Sequence, residues 1–441
     1  MDSMQPGGHP PSEFTAEALG LLDFIDSAPS PYHACASAAA MLEGAGFTRV
    51  EEADPWPAGG RHLVVRGGTL IAWALPEGAV PGSAMRIVGA HTDSPNLRIR
   101  PRPELDRAGY RQLAVDPYGG LLMNSWLDRD LGISGRVAVR AGDEVELRLL
   151  RIDRPVLRIP QLAPHLDRQV SSDGLRLNPQ TQLVPIMGLA GEGLPGFQDL
   201  LADHLGVESA SIATWDLMVH DLAGGRLAGA SDEFVSAPRL DNLGSSYAAC
   251  RALAQVGAGS GSLSLPAVVC LFDHEEVGST SSTGADGEFL PATLERICLA
   301  WGWNREEFLR SMSQSTLVSA DMTHAVNPNY LDHYEPGHLV HLNQGPAIKV
   351  NAGQRYATDA SGAARFSACC QAAGVPVQTF LARSDRPCGS TIGPALSARL
   401  GVATVDVGFS QLAMHSAREL CGSQDVLWMV RALAQFLTSP R

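Results

Sequence analysis

The feature that most constrains this chain is a set of short apolar runs, each leading into an acid or a histidine. Ala84–Gly89 (AMRIVG) runs directly into His91, Thr92 and Asp93. Pro266–Phe272 leads into Glu275 and Glu276, and Thr316–Ala320 into Asp321. Asp241 follows SAPRL, and His415 lies in LAMHSARE. Further runs are Ala347–Val350, Val377–Leu381 and Ala403–Val407. Runs this short, bounded by turn residues, read as buried strands. Helical segments such as Leu243–Gln255 lie between most of them. The alternation predicts an α/β fold: a mixed, largely parallel sheet flanked by helices on both faces. In open sheets of this kind, ligands bind at the carboxyl ends of the strands.

Between about residues 101 and 231 the pattern changes. Arg136–Arg140 and Val145–Ile152 read as strands, and VELRLL alternates apolar and charged residues, which suits an antiparallel sheet with one wet face. The expected division is therefore a discontinuous α/β domain over 1–100 and 232–441, interrupted by a β-rich insertion over 101–231. In the first part, Thr15–Ile25 has helical spacing, Ser30 caps a helix that starts at Pro31, and Gly67–Gly68 turns a hairpin. Residues 1–14 read as a flexible polar tail, and GAGSGS (257–262) as a flexible segment.

Composition removes several function classes. A net charge of −14 argues against nucleic acid or an anionic membrane surface as partner. No run approaches the roughly 20 apolar residues of a membrane span, and the N-terminus lacks the pattern of a secretory leader. The 8 cysteines form no CxxC pair and sit mostly in apolar runs. They read as buried thiols in a reducing compartment, so a cytoplasmic location is expected.

Each acid or imidazole has an ordinary reading on its own: a structural histidine, a solvated glutamate pair, a helix-capping aspartate. Together they all follow runs that should be buried, and buried acids and imidazoles need partners. His91, His415, Asp241, Asp321 and one of the two glutamates fit two divalent ions. Nitrogen and oxygen ligands suit zinc, with manganese or cobalt as alternatives. Consecutive side chains in extended backbone point opposite ways. One of Glu275 and Glu276 can therefore bind metal while the other serves as general base. Asp93, two residues beyond His91, can orient that imidazole. Of 33 basic residues all but one are arginine, and the exception is Lys349, in the strand AIKV. A snorkelling edge lysine is the ordinary reading. The alternative is a cation kept where the planar arginine fork does not fit.

GAHTDSPNLRIRP, SAPRLDNLGSSYAA, FDHEEVGSTSSTGA, SADMTHAVNPNY, IKVNAGQRYATD, PCGSTIGP and LAMHSARE closely resemble the aspartyl aminopeptidases, a family of dinuclear zinc exopeptidases. DFIDSAPSPYHA, YGG, WLDRDLGISGRV and LAPHLDR extend the resemblance from about residue 20 to the C-terminus. It implies a zinc-exopeptidase-like fold whose inserted β-rich domain dimerises, with dimers assembling into a tetrahedral dodecamer. It implies His91, Glu276, Asp321 and His415 as metal ligands and Asp241 as the bridging carboxylate. It makes Glu275 the general base and Asp93 the support of His91. His165 would reach the active site of the neighbouring subunit, and Lys349 and Tyr356 would line the specificity pocket. The implied substrates are peptides with an N-terminal Asp or Glu. Related dinuclear peptidases also imply a cis Asp241–Asn242 peptide. One departure is Asn327, where family members often have histidine. A related metal-dependent amidohydrolase and a catalytically silent scaffold are the rival readings, and the retained Glu275 speaks against the second.

Overall fold

A computed structural model describes residues 12–191, 193, 195–258 and 263–439. The expected tail up to residue 11, and residues 259–262 of GAGSGS, lie outside the described residues. Residues 12–14 are not tail. The Ser12 hydroxyl accepts the Thr15 N–H and caps the helix Glu13–Ser27, and the Phe14 ring meets Trp428 edge-on at 5.6 Å. An N-cap and one half-buried aromatic contact are enough to order this start of the chain.

The main sheet has nine strands, in the order Thr48–Arg49, Gly60–Arg66, Thr69–Leu75, Ala267–Phe272, Arg86–His91, Thr316–Ala320, Ala403–Gly408, Ala347–Val350, Gln378–Leu381. The four central strands, Ala267–Phe272 through Ala403–Gly408, pair in parallel. On either side of them the pairing turns antiparallel. The centre therefore matches the expected parallel sheet, and the flanks make it mixed. The alternation of side chains along the strands explains the layering. Val88, Val269 and Leu271 face one core, under the helices Glu13–Ser27, Pro31–Gly44, Leu240–Ala258, Ala360–Ala372 and Ser423–Thr438. Ile87, Val268 and Cys270 face the other, under Phe289–Ala300, Arg305–Gln314 and Ile392–Leu400. Strands covered on both faces lack polar alternation, and this is why they read as continuous apolar runs.

A second, six-stranded sheet is wholly antiparallel, in the order Glu144–Leu157, Leu131–Ala141, Ile212–Asp221, Asn96–Arg107, Tyr110–Tyr118, Ile186–Leu189. It begins at Asn96, ahead of the expected boundary at 101, because the strand continues straight out of the HTDSP loop. One face packs Ile133, Val137, Leu217 and Val219 against the helix Phe197–Leu205. The outer strand departs from the expected wet and dry faces. Val145, Leu147 and Leu149 are exposed, while Leu150 and Ile152 are buried. The apolar phase changes between Leu149 and Leu150, so the first half of this edge strand turns its apolar row away from the core.

A five-stranded sheet joins Arg226–Ala228, Phe234–Ala237, Glu419–Gly422, Ser410–Leu412 and Thr323–His324. It links the end of the insertion to the C-terminal segment that carries His415.

Candidate metal centre

The structure brings the predicted residues to one end of the nine-stranded sheet. His91 is the last residue of its strand, and Asp321 follows Thr316–Ala320 directly. Glu275 and Glu276 sit in a single 3-10 turn beyond Ala267–Phe272. Asp241 opens the helix Leu240–Ala258 at a point where the backbone is non-helical, and the Asp241–Asn242 peptide is cis, as the resemblance implied. His415 lies in a loop with φ of +67°, in the left-handed region.

Among the described residues these side chains form three triads; one is His91, Glu275 and Glu276, and the other two share Asp241. His91, Asp241 and Asp321 offer ligand atoms that all lie within 4.8 Å of one another, and so do Asp241, Glu276 and His415. His91 Nε2 is 3.4 Å from Asp241 Oδ1, and His415 Nε2 is 3.5 Å from both Asp241 Oδ2 and Glu276 Oε1. Glu275 approaches from the side, with Oε2 3.8 Å from His91 Nε2.

The surrounding hydrogen bonds aim the imidazoles. His91 Nδ1 lies 3.0 Å from the Asp93 carbonyl and 3.3 Å from its Oδ1, so the proton sits there and Nε2 turns its lone pair into the cluster. The Asp93 carboxylate also accepts the Tyr118 hydroxyl at 2.7 Å and the N–H groups of Glu275 and Glu276 at 3.2 and 3.1 Å. Asp93 therefore orients His91 and the glutamate turn together. His415 Nδ1 donates to the Gly120 carbonyl at 3.0 Å, which frees its Nε2. Ser94 Oγ donates to the Asp241 carbonyl at 2.6 Å, and the Glu419 carboxylate accepts the Asp241 and His415 N–H groups. Tyr118, Gly120, Ser94 and Glu419 carry no predicted role. YGG and HSARE are visible as motifs, but their spacing does not distinguish a donor to a site from a core contact.

The electrostatics call for positive charge. Asp93, Asp241, Glu275, Glu276 and Asp321 crowd one region, and His91, His415 and Lys349 stand among them. Burial opposes ionisation of Asp241, but His415 and His91 outweigh it and hold this carboxyl well below the usual range. Burial pushes Glu275 up to about 8 and Glu276 well above its ordinary value. His415 loses solvation, yet Asp241 and Glu276 push it up to about 10. Asp241 Oδ1 and Glu276 Oε1 are buried and have no hydrogen-bond partner. Unpartnered buried carboxylate oxygens facing imidazole Nε2 atoms fit divalent cations with nitrogen and oxygen ligands, which would take the place of the Nε2 protons.

The cluster forms one wall of a cleft of about 440 Å³. Lys349, Arg355, Tyr356 and Phe380 also line it. Lys349 is buried. Its ammonium donates to the Met322 carbonyl at 2.6 Å, stands 3.4 Å from Asp321 Oδ1 and lies 5.5 Å from the centre of the Tyr356 ring. His165 is exposed, in the segment between Ile159 and Val170, and is not part of the cleft wall of its own chain. Asn327 is not part of that wall either; its side chain accepts the Asn329 N–H in a local turn.

The family description Aminopeptidase I zinc metalloprotease (M18) matches residues 24–437. The chain is 50% identical over 422 residues to the probable M18 family aminopeptidase 2 of Streptomyces avermitilis, covering 95% of this chain and 96% of that one. To the protein of the same name from Mycobacterium tuberculosis it is 50% identical over 429 residues, covering 96% and 98%. A chain in the cryo-EM structure of the Ape4 and Nbr1 complex superposes with a TM-score of 0.93 at 39% identity, over 99% of this chain and 88% of that one. The S. cerevisiae mApe1 dodecamer structure gives 0.84 at 30% identity, over 97% of each chain. Matched along nearly its whole length and carrying a histidine and carboxylate cluster suited to metal, the chain belongs to the M18 family of zinc metalloproteases and is a metalloaminopeptidase.

Proposed function

We propose that this M18 aminopeptidase removes N-terminal Asp and Glu from peptides, using two divalent metal ions and Glu275 as general base. The observation that carries the acidic preference is Lys349. The chain's single lysine is buried in the wall of the cleft, with its ammonium beside the cluster. A substrate carboxylate entering a cleft walled by acids needs a local cation, and a compact ammonium supplies it. Tyr356 closes the same corner of the pocket.

The two triads that share Asp241 support two ions, most simply zinc, with manganese or cobalt as alternatives. His91 and Asp321 would hold one, Glu276 and His415 the other, and Asp241 would bridge them. Bound there, divalent ions supply Lewis acidity to a water and to the scissile carbonyl. The work of the side chains follows from their positions. Glu275 takes the proton of the attacking water and returns it to the leaving amine. Asp93 keeps His91 in the required tautomer. The acids of the cluster accept the substrate's α-ammonium, which restricts cleavage to the first residue.

In this reading the domains are 1–100 with 232–441 for catalysis and 101–231 for dimerisation. The exposed row Val145, Leu147 and Leu149 on the edge strand supports burial against a second copy. Dimers would assemble into a tetrahedral dodecamer, and mApe1 is a dodecamer by its own description. His165, exposed and away from its own cleft, would reach the neighbour's cleft and donate to the developing oxyanion. Among the described residues no helix is long and apolar enough to cross a membrane. All 8 cysteines are free, and all but Cys388 are buried, in keeping with a cytoplasmic protein.

The test is an assay of the zinc- or manganese-loaded protein on Asp, Glu, Leu and Ala anilides and on acetyl-Asp anilide. Faster cleavage of the Asp and Glu anilides than of the Leu and Ala anilides, and none of acetyl-Asp anilide, is expected. Preference for Leu overturns the acidic reading, and cleavage of acetyl-Asp overturns the need for a free amine.

A further inference from the structure

We infer that Glu419 is a positioning residue that sets the distance between the shared Asp241 and His415. The inference rests on the proposed dinuclear reading. Glu419 is buried, 2% exposed. Its Oε2 accepts the Asp241 N–H at 3.0 Å and its Oε1 accepts the His415 N–H at 2.7 Å. One carboxylate thus holds the backbones of two residues far apart in sequence, whose side chains meet at 3.5 Å between Asp241 Oδ2 and His415 Nε2.

Other bonds hold the two residues from other sides: the Ser94 hydroxyl on the Asp241 carbonyl, the Leu122 N–H on the His415 carbonyl, and His415 Nδ1 on the Gly120 carbonyl. His415 adopts a left-handed backbone without being glycine, a conformation that persists only where the surroundings enforce it. Asp241 sits where its helix is not yet helical. Glu419 itself has a rigid base. It opens the strand Glu419–Gly422, which pairs antiparallel with Phe234–Ala237, and the register sets Glu419 opposite Ala237. The strand just before Asp241 and the strand just after His415 are therefore neighbours, and Glu419 reaches from their junction to both ligand backbones. A buried carboxylate that only supported the fold would have no reason to divide its two oxygens between two ligand-bearing backbones.

Glu419→Gln makes the inference testable because it keeps the shape. The amide has one accepting oxygen, and its NH2 group would face the second N–H, so one arm of the clamp opens. The measurement is metal content of the zinc-loaded enzyme after equilibration with graded chelator, read by elemental analysis alongside steady-state kinetics. Removing an outer partner of a metal ligand weakens metal binding by roughly 10- to 100-fold. Half-loss of the more weakly held ion is therefore expected at a correspondingly lower chelator strength. At saturating zinc, KM for an Asp anilide should stay near wild type. A half-loss point within threefold of wild type overturns the inference. So does a rise in KM without change in metal binding, which would place Glu419 in substrate binding. Glu419→Asp, too short to reach both amides, should reproduce the metal defect. If both variants are insoluble, Glu419 is a fold residue and the inference is overturned. A wild-type enzyme that keeps full activity after complete metal removal would instead overturn the dinuclear reading itself.

Discussion

Two of the triads share Asp241, yet they are built from different material. In the inner one, His91 and Asp321 are 1% and 6% exposed and sit directly on the ends of parallel strands whose backbone hydrogen bonds fix them. In the outer one, the His415 side chain is 29% exposed and rides on a loop with a left-handed turn. A ligand on a strand end inherits its position from the sheet. A ligand on a loop must be held by added bonds, here from Gly120, Leu122 and Glu419. Rigidity of the inner position and reliance of the outer one on auxiliary contacts predict unequal metal affinities.

The largest expected effect tests the shared member. Asp241→Ala should lose both ions together and leave no measurable turnover, whereas His415→Ala should keep the inner ion. Elemental analysis of the two variants decides this, and two retained equivalents in Asp241→Ala would show that Asp241 does not bridge. Next, Glu275→Gln should keep both ions and lower kcat by about 10²- to 10⁴-fold, the usual contribution of a positioned proton acceptor. Activity within tenfold of wild type would remove Glu275 from that role.

Lys349→Met comes third, and it separates the metal wall from the pocket wall. A charge-assisted hydrogen bond contributes about 1.5–3 kcal/mol, so kcat/KM for Asp and Glu anilides should fall roughly 10- to 150-fold at about 1.4 kcal/mol per decade. Leu and Ala anilides should hold or gain, since a buried cation no longer faces an apolar group. Lys349 also neighbours Asp321, at 3.4 Å. An equal loss on all substrates would mean that it supports the inner ligand and does not read the side chain. The smallest effect concerns His165. Subunits with His165→Ala mixed with Glu275→Gln subunits, under conditions that exchange subunits, should regain part of the lost activity. No recovery would end the shared-site reading.

The inner triad and the central sheet were legible in the sequence for one reason. Thr316–Ala320 and Ala347–Val350 are strands over the expected residues because burial leaves no polar phase to confuse them. Where burial is partial, the pattern misleads: VELRLL alternates, yet its apolar residues face outward at the sheet edge. The polar start of the chain read as tail because one N-cap and one aromatic contact leave little trace in composition. Glu419 was invisible for a different reason. A carboxylate that accepts one backbone N–H from 4 residues before it and another from 178 residues away imposes no partner residue type on the sequence.

The solitary lysine has a practical consequence. An endoprotease specific for lysine has a single bond to cut, Lys349–Val350. That bond lies inside the strand Ala347–Val350, held between Ala403–Gly408 and Gln378–Leu381. The folded chain should therefore resist such a protease, and each cut, giving two fragments of fixed size, should register one opening of this part of the sheet. When reclosing is fast relative to cleavage, the cutting rate reports the population of the open form. The buried lysine of the cleft thus doubles as a built-in unfolding gauge, readable on a gel without any label.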